Sequence, residues 1–210
     1  MFINPYPVFD TSVSGGRGNL GNLPEWDLND LYQGTDDPKI DQDLAWMETE
    51  CVAFAADYEG KLANLSANDM LTCIQRNEKI STVAGRIMSF AGLRYYQLTT
   101  DGERTKFLSD AQEKITVFTT PLVFFTLELN RLSEEALTSL FDANADLARY
   151  RPAIRRIRAL EPYQLSDELE KFLHDLGAVG DAWEKLFDET IAGLTFDIEG
   201  EDLNIEATLN

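Results

Sequence analysis

Apolar residues recur at steps of three or four along much of the chain, which is the spacing of helices that bury one face. The first long stripe predicts a helix of about six turns beginning near Pro38. Acidic residues occupy its opposite face, and Gly60 weakens the pattern at its end. The apolar positions of this stripe are Ile40, Leu44, Met47, Cys51, Phe54 and Tyr58.

A second stripe predicts a long helix that continues to about Leu98. Ser66 is placed as its N-cap, with Asp69 three positions later. Gly85 and Gly92 lie inside this pattern, where glycine is costly unless a neighbour packs closely on it. The two glycines therefore predict a tight helix crossing.

A third helix is predicted to begin near Asp101. Pro121 lies inside its pattern and predicts a kink, because proline removes a backbone hydrogen bond and clashes with the preceding turn. Its apolar seam consists of Leu108, Ala111, Ile115, Phe118, Leu122, Phe125 and Leu129. Because short turns join the three long elements, they predict an antiparallel helical bundle.

Shorter helices and a change of period follow. The predicted helices cover Ser133–Ala143, Arg151–Leu160, Ser166–Leu176 and Ala178–Ala192. After them, alternation of apolar and polar residues around the turn Glu199–Asp202 predicts a β-hairpin. Its apolar positions are Leu194, Phe196 and Ile198 on one strand and Leu203 and Ile205 on the other.

The predicted fold is mainly α: a bundle of long antiparallel helices plus shorter helices, with a C-terminal β-hairpin. Residues 1–22 form an irregular leader, residues 23–193 a helical domain, and residues 194–210 the hairpin. An isolated hairpin is marginally stable in water and needs a surface to pack on. We therefore expect the hairpin to begin a further region that is truncated in this chain.

Composition excludes several classes of partner. A net charge of −19 argues against nucleic acid, whose phosphates require a basic surface. No run of apolar residues is long enough to span a membrane, and the N-terminus lacks a secretory signal, so we expect a cytoplasmic protein. Five arginines in ten positions predict internal ion pairs or contact with a partner domain: Arg149, Arg151, Arg155, Arg156 and Arg158.

Candidate chemistry is sparse. Gly16, Gly18 and Gly21 match the spacing of a dinucleotide-binding loop, but neither a preceding apolar strand nor a following helix supports it, so we interpret them as part of the flexible leader. His174 is the only histidine, and a structural or surface role is predicted for it. Cys51 and Cys73 lie within helical patterns and are predicted to be reduced, mostly buried thiols. The sequence thus predicts no catalytic, cofactor-binding or metal-binding residue.

Several long segments resemble the N-terminal region of the oligoendopeptidase F family, zinc metallopeptidases related to thimet oligopeptidase. The likeness begins with LPEWDLNDLY at Leu23–Tyr32 and covers essentially the rest of the chain in the same order. Its other segments are FFTLELNRLSEEAL, LARYRPAIRRIRAL, YQLSDELEKFLHDLGAVGDAWEKLFDETIAGLTF and DIEGEDLNIEATLN.

The resemblance implies the N-terminal helical domain of an enzyme that hydrolyses short peptides. In that family the zinc site lies on a helix bearing HExxH, several hundred residues further on, and one helical domain forms a wall of the substrate channel. Zinc is thus expected in a missing C-terminal catalytic domain, which would be the partner of this chain. The chain alone is expected to be inactive and to self-associate through exposed apolar surface.

A second hypothesis remains beside this one. The chain would then be a stand-alone acidic helical interaction module without enzymatic activity. An HExxH motif encoded downstream of Asn210 would favour the peptidase, and a stop codon there would favour the module.

Overall fold

The computed structural model describes residues 27–209, and the regular elements among them are helices apart from one small hairpin. The predicted fold class is therefore confirmed. The leader 1–22, with its glycine pattern, lies outside the described residues. The helices are α1 (Pro38–Tyr58), α2 (Ala67–Gln97), α3 (Gly102–Thr119), α4 (Val123–Arg131), α5 (Glu134–Ala143), α6 (Ala145–Ala148), α7 (Arg151–Arg158), α8 (Asp167–Gly193) and α9 (Ile205–Leu209). Strands β1 (Thr195–Ile198) and β2 (Glu201–Asn204) separate the last two.

Helix α1 follows its sequence pattern closely. Asp37 caps it by accepting a hydrogen bond from the Lys39 amide at 2.9 Å, and Pro38 takes the first position, where proline is tolerated. Five of its six predicted stripe positions are buried, and Tyr58 is half-buried. After the helix, Gly60 adopts a φ of +76°, a conformation that favours glycine.

The long helix α2 packs beside α1 and carries the predicted cap. The Ser66 hydroxyl accepts a hydrogen bond from the Asp69 amide at 3.2 Å, and the helix ends at Gln97. An ion pair joins the two helices, with Arg76 Nε 2.8 Å from Glu50 Oε1. The N-cap and the length of this helix thus match the prediction.

The tight crossing predicted at Gly85 and Gly92 is wrong. A Cβ added at Gly85 would meet nothing within 4 Å, and one at Gly92 would meet only the Tyr96 ring edge at 3.9 Å. The buried side of α2 is formed instead by large side chains, among them Ile87 and Phe90. The glycines lie off that side, so no neighbouring backbone requires them to be small.

Pro121 divides the third predicted helix into α3 and α4. The residues Thr120–Leu122 form a 3₁₀ turn between them, as expected where proline cannot donate a backbone hydrogen bond. Helix α4 then places Phe124 and Phe125 beside Phe54 of α1, with ring centroids 5.9 Å away in both cases. The break at the proline is thus followed directly by two aromatic residues of the core.

The core lies between α1, α2, α3 and α4 and includes both cysteines. Cys51 and Cys73 are fully buried and unpaired, as predicted. Burial raises the pKa of Cys51 to about 11 and that of Cys73 to about 12, so both thiols stay protonated at neutral pH.

The short helices differ in detail from the prediction. Helix α5 has its predicted Ser133 cap, accepting from the Ala136 amide at 3.1 Å, while α6 was not predicted. Of the arginine cluster, Arg158 is held internally: its Nη1 donates to the carbonyls of Leu129 and Asn130 at 2.8 and 2.9 Å. Its guanidinium therefore provides hydrogen-bond donors to carbonyl groups at the C-terminal end of α4.

The two helices predicted over Ser166–Ala192 are one continuous helix, α8. Gly177 and Gly180 do not interrupt it, since an isolated glycine costs only about 1 kcal/mol against alanine. The hairpin is confirmed, but its turn contains Glu199 and Gly200 alone, both with positive φ, and Glu201 pairs with Ile198. Ile205, predicted in the second strand, begins α9 instead.

We expect the substitution Phe54→Ala to lower the free energy of unfolding by about 3–5 kcal/mol, because it empties a fully buried site between aromatic rings. Val52→Ala on the same helix should change it by no more than about 0.5 kcal/mol, since Val52 is exposed. Urea denaturation measures both, and equal losses would contradict this account of the core.

Arg158→Lys should lower the free energy of unfolding by about 1–3 kcal/mol. An ammonium cannot replace a guanidinium that donates to two carbonyls and to Glu134, and buried acceptors are left without partners. Arg156→Lys, at an exposed position of α7, is the matched control and should be nearly neutral. A neutral Arg158→Lys would remove the structural role assigned to this arginine.

Candidate interaction surface

Helix α8 contacts the bundle mainly through polar side chains. His174 Nε2 lies 3.2 Å from both Thr119 Oγ1 and the Thr116 carbonyl oxygen, at the end of α3. Further along, the Lys185 ammonium donates to Ser109 Oγ at 3.0 Å. Helical spacing puts His174 and Lys185 on one side of α8, so this side faces α3.

Three more contacts extend this polar seam. Asp181 accepts a hydrogen bond from the Gln112 amide, and Asp167 forms an ion pair with Arg131 of α4. Asp175 accepts from the Thr120 hydroxyl at 2.7 Å. The seam therefore runs along α8 from its first turn to Lys185.

The opposite side of α8 is apolar and exposed. We call it the apolar face, and its members are at least 38% exposed. Trp183 and Phe187 are the most exposed, at 69% and 64%. The face consists of Leu169, Phe172, Leu173, Leu176, Val179, Trp183, Leu186, Phe187 and Ile191.

This orientation is the reverse of what amphipathic patterning predicts for a surface helix. Such a helix ordinarily turns its apolar stripe to the core and its polar side to solvent. Burying one large apolar side chain is worth about 1.5–3 kcal/mol, whereas a neutral hydrogen bond adds about 0.5–1.5 kcal/mol. A face of nine such side chains in solvent is thus typical of an interaction surface.

The hairpin after α8 adds to the exposed apolar surface. Phe196 and Ile198 of β1 are 41% and 44% exposed, although their alternation predicted a side that packs. The strands pair with each other and contact α9. Within the described part of the chain, the hairpin therefore leaves much of its apolar side uncovered.

The residues weighed as candidate chemistry are not brought together. His174 lies in the seam with α3, and the two cysteines lie in the core. Among residues 27–209, no three His, Cys, Asp or Glu side chains are placed to hold a metal ion.

The sequence predicts exposed apolar surface but does not place it on α8. The periodicity of α8 was visible, but the pattern alone does not tell which side meets the bundle. The signal that could have revealed it is the polar composition of the facing positions on α3, including Ser109, Gln112 and Thr116. None of the helices within residues 27–209 has the length and apolarity needed to cross a membrane.

Comparison with known proteins gives two matches. Residues 128–196, which contain all of α8, match the family model described as Oligopeptidase F. The crystal structure of oligoendopeptidase-F from Enterococcus faecium has the same fold over 81% of this chain, with a TM-score of 0.70 and 22% sequence identity. The resemblance predicted from the sequence, to the N-terminal region of that family, is confirmed.

The matches also define what the chain covers. It spans 33% of the Enterococcus faecium protein, about a third of its length. No curated protein sequence matched the chain.

We expect the double substitution of Trp183→Ser and Phe187→Ser to leave the free energy of unfolding within about 1 kcal/mol, because both side chains are largely exposed. Binding of a dye specific for apolar surface should fall, and so should any self-association seen by light scattering.

The single substitution Val52→Ser removes an exposed apolar side chain from α1 and is the control. It should leave dye binding and scattering unchanged. A strictly monomeric wild-type chain that binds no dye would contradict the assignment of an open apolar surface.

Proposed function

We propose that this chain is the N-terminal helical domain of an oligoendopeptidase F-like zinc metallopeptidase that hydrolyses short peptides in the cytoplasm. The observation that carries the proposal is the family match over residues 128–196, because the matched segment includes the whole exposed face of α8. A shared fold with a solved oligoendopeptidase-F supports it. The domain shapes the substrate channel and takes no part in the chemistry.

The apolar face is the surface on which the catalytic domain would pack. A catalytic domain packing on Trp183, Phe187 and their neighbours would bury the side chains that α8 leaves in solvent. The same contact would cover the hairpin, which needs support to be stable. Short peptides would then bind between the two domains, as in a channel with one wall from each.

The zinc belongs to the catalytic domain under this proposal. An HExxH site needs two histidines on one helix, and these 210 residues contain one histidine. His174 lies in the seam with α3 and is followed by Asp175, not by the glutamate of the motif. The chain by itself is therefore expected to hydrolyse no peptide.

The alternative is a stand-alone acidic interaction module. The net charge of −19 and the open face of α8 favour it, since both suit a partner that presents an apolar patch with basic surroundings. It requires no downstream catalytic domain.

Two experiments separate these functions. Sequencing the gene beyond the codon for Asn210 should reveal an HExxH motif several hundred codons downstream, and a stop codon at position 211 would favour the module. Purified 1–210 with added zinc should not cleave fluorogenic short peptides, and metal-dependent cleavage by it would contradict the assignment of chemistry to another domain.

A third experiment tests the contact itself. Coexpressed with the downstream region, the chain should copurify with it and restore peptide hydrolysis. Phe187→Glu should abolish copurification by placing a charge in the apolar contact, whereas Val52→Glu on α1 should not. Copurification that survives Phe187→Glu would remove the apolar face from the proposal.

A further inference from the structure

A groove between α2, α3 and α8 carries an excess of negative charge. Its volume is about 290 Å³, and its polar wall on α8 is formed by Asp181, Glu184, Lys185 and Asp188. This groove lies on the seam side of α8 and is separate from the apolar face. Three carboxylates against one ammonium leave a net charge of −2 among these wall residues.

The ammonium of Lys185 does not neutralise this wall by direct ion pairs. It donates to Ser109 Oγ at 3.0 Å and to Gln112 Oε1 at 2.8 Å, both on α3. Neither Glu184 nor Asp188 forms an ion pair with any residue in the range 27–209. Two carboxylates in the groove thus remain for a cation from outside.

A buried hydroxyl gives independent evidence of a ligand. Tyr95 lines the groove with its side chain 1% exposed, and its hydroxyl has no hydrogen-bond partner within the described residues. Burial raises the pKa of this hydroxyl, and the negative charges of Asp188 and Glu189 raise it further. Because an unpaired buried hydroxyl is costly, a donor supplied by a ligand would be stabilising.

The other walls suit an alkyl chain and a planar cation. Met88, Gly92 and Leu108 give an apolar lining, and Tyr96 beside them is 69% exposed. The Tyr96 ring packs edge-on to Tyr95, with centroids 5.2 Å apart, and leaves surface on which a cation can lie. Aromatic ring, carboxylate and hydroxyl acceptor are together the groups that recognise a guanidinium.

We propose that this groove binds an organic cation on an alkyl stem, a guanidinium in particular, through Asp188, the Tyr95 hydroxyl and the Tyr96 ring. A metal ion is not the ligand that we infer, because the described residues offer no set of three or more metal-binding side chains. The guanidinium belongs either to the arginine side chain of a peptide or to a free alkylguanidine. Binding at this groove does not depend on the peptidase activity of a longer protein.

The test is titration of the full chain 1–210 with two probes, an acetylated and amidated Gly-Arg-Gly peptide and agmatine. Calorimetry measures affinity, and amide NMR signals of Gly92 and Asp188 report the place of binding. Binding of either probe, with signal shifts at both residues, supports the proposal. If the peptide binds more tightly, the natural ligand is an arginine side chain of a peptide. If agmatine binds more tightly, the ligand is a free alkylguanidine. Absence of saturable binding by both would overturn it.

Substitutions in the groove test whether it is the binding site of these probes. Asp188→Asn should weaken binding by about ten-fold or more, since it removes one charge-assisted contact. Tyr95→Phe should weaken binding several-fold while leaving the melting temperature unchanged or higher, because it removes an unpaired hydroxyl.

Asp142→Asn on α5 makes the same change of charge outside the groove and should alter affinity by less than about two-fold. Equal weakening by Asp142→Asn and Asp188→Asn would show nonspecific attraction to an acidic surface and overturn the site. Unchanged affinity in Tyr95→Phe would likewise overturn it. A peptide probe with glutamate in place of arginine should not bind.

Discussion

The polar seam between α8 and α3 determines how the rest of this surface is arranged. His174 against the end of α3 and Lys185 against Ser109 and Gln112 fix which side of α8 meets the bundle. Once that side is fixed, the helical period forces Trp183 and Phe187 outward. The apolar face, the exposed hairpin that follows it and the acidic groove are all consequences of this one orientation.

A polar seam under an open apolar face is understandable if α8 has two neighbours. The free energy available from the apolar side is larger than that from the hydrogen bonds beneath it. A domain that used the apolar side for its own core would have nothing left to bind a second domain. By docking α8 through His174, Asp175 and Lys185, the bundle keeps that side for a partner, as proposed for the catalytic domain of a peptidase.

Most of the bundle could be predicted because its signals are local. The stripe of α1, the Ser66 and Ser133 caps and the break at Pro121 each depend on residues within a few turns of one another. The sequence-based predictions fail where contacts between residues distant in the chain determine the structure. The pattern predicts a crossing at Gly85 and Gly92, whose surroundings are open, and a break at Gly177, through which α8 continues.

The sequence alone determined which residues are apolar, where most helices begin and that the chain has too few histidines for an HExxH site, because composition and helical period are properties of the chain itself. It also carried the likeness to the oligoendopeptidase F N-terminal region. Only the tertiary structure decided that α8 turns its polar side inward, and that Tyr95 and Asp188, far apart in the chain, line one groove. Both depend on which neighbour each side chain meets, and a one-dimensional pattern does not contain that information.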